Sequence, residues 1–99
     1  MMIEITYIGR NRNIVAPAQY MYDEGVRLKL LNPPEGSYSI DTETGETLTP
    51  VDDVVKLPDS LFLQEGNAPL YIGVRDGESF NTLCKIVIPV LWRGKPTQE

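Results

Sequence analysis

Histidine is missing from this 99-residue chain, and Cys84 is its single cysteine. The first absence removes the side chain that most often moves protons near neutral pH. Together the two exclude His/Cys zinc sites and any disulfide within the chain. Positive charge is scarce as well: nine Lys and Arg face fourteen Asp and Glu, for a net charge of −5 and an isoelectric point near 4.6. Nucleic-acid binders carry a basic patch or stripe. The densest basic spot here, Arg10-Asn11-Arg12, holds two charges and reads as a solvated turn. No apolar run approaches the roughly 20 residues of a membrane helix. Met1-Met2-Ile3-Glu4 has neither a basic n-region nor an apolar h-region, so no secretory signal is expected. The expectation is of a chain with no nucleic-acid partner, no membrane partner, no metal and no cofactor.

What the chain does have is short alternating segments with turn residues between them. Its length suits one domain with a core of its own. Val26, Leu28 and Leu30 alternate with Arg27 and Lys29, the pattern of a half-buried strand. Residues 4–8 are dense in β-branched and aromatic side chains and also read as a strand. Ile14-Val15-Ala16 is a short piece stopped by Pro17, and residues 18–24 read as extended in preference to a helix opened by Pro17 and capped by Gly25. Residues 38–41 and 46–49 form a hairpin around Gly45, with another short strand at Val54-Val55. Residues 69–75 and 83–92 are strands joined through a tight Asp76-Gly77 turn, with Pro89 marking an edge or bulge in the second. Residues 58–66 are the one helical candidate, at most two turns, with Asp59 as N-cap and Gly66 at its end.

Seven to eight short strands and one short helical corner make an all-β chain, and two sheets must pack face to face to keep their apolar faces dry. The expected fold is an antiparallel immunoglobulin-like β-sandwich over residues 1–92, followed by a polar exit tail over residues 93–99. Expected inward residues are Ile3, Ile5, Val26, Leu28, Leu30, Ile40, Leu61, Leu70, Ile72, Val74, Ile86 and Ile88. Tyr71, just inside a strand after a corner, resembles the tyrosine corner of immunoglobulin-like domains, a stability device.

Catalytic chemistry finds little support. Acids gather as Asp41, Glu43, Glu46, Asp52, Asp53 and Asp59 around a lone Lys56, yet they lack a calcium-loop pattern and read as a solvated hairpin region. Asp52 and Asp53, taken as neighbours on a strand, face opposite ways and do not pair as acid and base. Cys84 lies in an apolar strand pattern and reads as a buried, inert thiol. No catalytic residue is assigned.

Three segments in order carry a family resemblance. They are Arg12 to Ala16 with Gln19-Tyr20 and Asp23; Leu57-Pro58-Asp59-Ser60-Leu61 leading through Gly66 to Leu70-Tyr71; and Asp76 to Ser79 followed by Ile86 to Val90 and a basic, proline-bearing exit at Arg93 to Pro96. This order is similar to the small N-terminal β-sandwich domains of phage tail and upper-baseplate proteins of Gram-positive bacteria. The resemblance implies a non-enzymatic virion structural module, assembled in the bacterial host cytoplasm, whose partners are other phage structural proteins or further copies of itself. It also implies either a piece of a longer protein or a small free-standing relative, because no fibre or receptor-binding part follows. Trp92, Tyr20 and Tyr22 are the interface candidates, since Trp and Tyr are enriched at binding hot spots. The alternative function is a carbohydrate-binding sandwich that stacks sugars on exposed members of Tyr7, Tyr20, Tyr22, Tyr38, Tyr71 and Trp92.

Overall fold

The computed structural model describes residues 1–76 and 78–95. Nine strands run through them: β1 (Met2–Thr6), β2 (Asn13–Val15), β3 (Gln19–Tyr20), β4 (Arg27–Leu31), β5 (Ser39–Thr42), β6 (Thr47–Leu48), β7 (Val54–Lys56), β8 (Gly66–Asp76) and β9 (Ser79–Leu91). One 3₁₀ turn, Asp59–Phe62, precedes β8. Period-two alternation decides which side chains are buried. Ile3 and Ile5 of β1, Leu28 and Leu30 of β4, and Cys84, Ile86, Ile88 and Val90 of β9 all point inward between exposed or half-buried neighbours.

The strands form two sheets. Sheet I has the order β1-β4-β7, and sheet II has the order β2-β9-β8-β5-β6, with β3 also on β9. Both contribute to one continuous core. The fold is all-β, as expected, but its sheets are mixed rather than antiparallel. β1 runs parallel to β4, and β2 and β3 run parallel to β9. Hairpin signals specify antiparallel pairing only between strands joined by a short turn, and β8 with β9 and β5 with β6 obey that. The first twenty residues follow another route. They lie along the edge of sheet I, cross to the edge of sheet II, and return to β4 only after a long excursion, which permits a parallel pair.

Prolines shape that second edge. β2 pairs Val15 with Val87, a register that continued would set Pro17 opposite Pro89. Neither proline has an N–H to donate. The ladder breaks there and resumes one residue out of step, with Gln19 opposite Val90. The buried Gln19 amide covers the gap by donating to the Pro17 and Ala18 carbonyls at 3.3 and 3.0 Å.

The core matches the expected inward residues except at Leu61 and Val74, which are half-buried. Ile14, Ala16, Met21, Val55, Leu57, Phe62, Ala68, Cys84 and Val90 join it. The helical corner is smaller than expected, a single 3₁₀ turn preceded by Pro58, with no side-chain cap. Asp59 does not cap it; its Oδ1 accepts the Gly25 N–H at 3.1 Å and ties the corner to the entrance of β4. The expected Asp76-Gly77 turn includes Gly77, and the exit tail includes residues 96–99, both outside the described residues.

Two further expectations change. Asp52 and Asp53 are not on a strand. They are the central residues of a tight turn closed by reciprocal 3.0 Å bonds between Val51 and Val54, with φ of 53° and 63°. Positive φ at both central positions is the geometry that matches strand twist across a two-residue loop, and Asp tolerates it better than most residues. Among the described residues the tyrosine hydroxyl that ties elements together is that of Tyr38, not of the expected Tyr71. The Tyr38 hydroxyl donates to Asp53 Oδ1 at 2.8 Å and links the start of β5 in sheet II to the turn before β7 in sheet I. Burial, then this hydrogen bond, then the Asp53 charge hold the Tyr38 phenol well above its usual range.

Candidate interaction surface

The interface candidates separate into two environments. Tyr20 ends β3, with its Cα in register with Leu91 of β9. Registered residues of a parallel pair face the same way. Both side chains stay substantially exposed, and Trp92 follows at 67% exposure as the chain leaves the sheet. The structure therefore gathers Tyr20, Leu91 and Trp92 at one end of sheet II. Tyr22 is drawn away from them. It is half-buried against the core, and its N–H donates to the Phe62 carbonyl at 2.7 Å. Its φ of 68° is rare for a bulky side chain. Asp23 Oδ2 accepts the Tyr20 N–H at 3.0 Å across the same turn, which helps hold it.

Beside this end of the sheet lies an open cleft of about 370 Å³ between the β5–β6 hairpin, the 3₁₀ corner and the first residues of β8. Leu61, Leu63 and Pro69 give it apolar surface above the buried Val90, while Glu43, Glu46 and Glu65 line it. All three glutamates are exposed. Thr42 anchors the hairpin wall: its hydroxyl accepts the Glu46 N–H at 3.1 Å, and its N–H donates to the Glu46 carbonyl at 2.8 Å. The sequence reading took Glu43 and Glu46 for a solvated hairpin and passed over Glu65. Nothing in their spacing marks them as neighbours, because the 3₁₀ corner brings Glu65 back only in the fold. Among the described residues no aromatic side chain lines this cleft.

The remaining chemistry-bearing residues do not converge. Among the described residues no three Asp, Glu or Cys side chains are placed to hold a metal ion. Cys84 is buried among apolar neighbours, and that burial raises its thiol pKa and favours the un-ionised form. Asp53 is engaged by Tyr38 and Asp59 by the Gly25 amide. No family model, no curated protein and no solved structure matches the chain.

Proposed function

We propose that this chain is a non-enzymatic attachment module of a phage or prophage particle, part of the tail or baseplate. It docks on other structural proteins of the virion or on further copies of itself. The observation that supports this reading best is the exposed group of Tyr20, Leu91 and Trp92 at one end of sheet II, because large, rigid, half-apolar side chains are the usual anchors of protein interfaces. The fold reading is an immunoglobulin-like sandwich. In strand order, β1-β4-β7 corresponds to the A-B-E series of such domains, and β9-β8-β5-β6 to the G-F-C series extended by one strand. The parallel pairing of β1 with β4 is its departure from that pattern.

Mass spectrometry of purified particles from the source lysogen tests the proposal. The expected result is peptides of this chain at near-integer stoichiometry with a tail protein; absence from particles while the chain is abundant in the cell overturns it. The carbohydrate-binding reading draws on the same exposed Tyr20 and Trp92. A glycan array decides it, and a specific hit that Trp92→Ala removes would favour it over the virion role. For the virion role, Trp92→Ala is expected to abolish partner capture with the thermal midpoint unchanged, since Trp92 is largely exposed.

A further inference from the structure

We infer that the acidic cleft receives residues 92–95 of a second copy of this chain, in a reciprocal two-fold exchange. The inference rests on the interaction-module reading and names its partner. The cleft sits at the low end of the roughly 300–1,000 Å³ typical of ligand-sized pockets, enough for a few side chains. Its lining has two parts. Leu61, Leu63 and Pro69 supply apolar surface, and Glu43, Glu46 and Glu65 supply negative charge. Such a groove suits a segment with one apolar anchor and adjacent cations.

The chain itself carries that segment. Trp92, Arg93, Gly94 and Lys95 follow β9 outside any strand of the described residues and are exposed. Among the described residues the Arg93 side chain makes one hydrogen bond, from Nε to the carbonyl of Gly94 next to it, at 3.4 Å. Trp92 and Leu63 are both more than half exposed, so each copy shows water an apolar surface that the exchange would cover. Position adds the symmetry. Val90 lines the cleft and the exit segment starts two residues later, so donor and acceptor share one end of the molecule. Complementary patches at one end are what a two-fold axis can satisfy twice, because each copy gives and receives. The chain's net charge of −5 opposes close approach of two copies, and Arg93 and Lys95 set against three glutamates offset that at the contact. Exposed pairs of this kind weaken as salt is raised.

Sedimentation equilibrium on the full chain, at moderate and at high salt, tests the exchange. A concentration-dependent dimer is expected at moderate salt, weak because the contact is small. The emission of Trp92, the only tryptophan, should shift to the blue as the dimer forms. Arg93→Glu with Lys95→Glu should weaken the dimer at least about tenfold, as should Glu43→Lys with Glu65→Lys. Mixing these two variants should restore a heterodimer, since each tail then meets a cleft of opposite charge. All four positions are exposed, so circular dichroism should report folded variants. A chain that is monomeric at every concentration overturns the inference. So does a dimer indifferent to both reversals, a mixture that fails to associate, or Trp92 emission that is blue-shifted already in the monomer, which would place the segment in its own cleft. These outcomes are separate from the particle measurement: a monomer found in virions sinks the exchange alone, and a dimer absent from virions sinks the virion role alone.

Discussion

Asp52 and Gly73 show how much of this fold is decided at single positions. Asp52 holds φ at 53° with its side chain in water, so the left-handed conformation costs it energy and no contact depends on its carboxylate. Asp52→Ala is expected to destabilise the chain by about 1 kcal/mol, read as a lower midpoint in urea unfolding, because Ala tolerates the left-handed region less well than Asp. Asp53 is the contrast: its conformation is equally left-handed, but its carboxylate accepts the Tyr38 hydroxyl and its carbonyl accepts the Leu30 N–H at 2.9 Å. Gly73 is constrained by space. A β-carbon there would lie 2.7 Å from the Asn81 carbonyl oxygen and would collide with the Phe80 ring. Gly73→Ala should therefore cost about 1–3 kcal/mol. Adding Phe80→Ala should recover only part of that, because the carbonyl clash remains; full recovery would show that the ring alone sets the cost.

At the scale of elements, the β8–β9 hairpin is longer than its neighbours. β5 accompanies β8 only as far as Gly73, and β2 accompanies β9 only over residues 85–87. A register shift falls between Ile72 and Gly73, where the hairpin begins to outrun β5. Beyond it Phe80 lies over Gly73, and the Arg75 guanidinium sits 5.4 Å from the Phe80 ring centre. An aromatic covering a glycine across two strands, with a cation over the ring, supports a ribbon that lacks lateral strands. The 3₁₀ corner works differently, through one side chain. Phe62 is fully buried and its carbonyl accepts the Tyr22 N–H. Phe62→Ala should cost about 3–5 kcal/mol, a large share of the roughly 5–15 kcal/mol that holds a domain folded. Guanidinium unfolding would measure it, and a loss below about 1 kcal/mol would mean that the corner is not seated in the core as described.

For the whole molecule, the Tyr38–Asp53 bond joins the two sheets and makes their association sensitive to alkali. The phenol pKa is raised in the folded chain, so this contribution is complete below the unfolded value near 10 and is lost as pH climbs above it toward the folded value. Unfolding midpoints should fall above about pH 10. Tyr38→Phe should cost about 1 kcal/mol at neutral pH and flatten that alkaline decline; an unchanged decline would assign it to other groups. The strands, the buried parity of β4 and β9, and an all-β class were legible in the sequence, because alternation and turn residues are local properties of the backbone. Pro89 led to the expectation of an edge or bulge, whereas β9 is flanked on both sides and pairs with β8 straight through Pro89, and the break lies between β2 and β3. Only the tertiary structure decided that β1 lies parallel to β4, that β2 and β3 meet β9 one residue out of step, that Tyr38 finds Asp53, and that Glu65 joins Glu43 and Glu46 around a cleft. Each of these joins residues far apart in the chain. A pattern of period two states which side of a strand is buried, and carries nothing about which strand lies beside it or in which direction it runs.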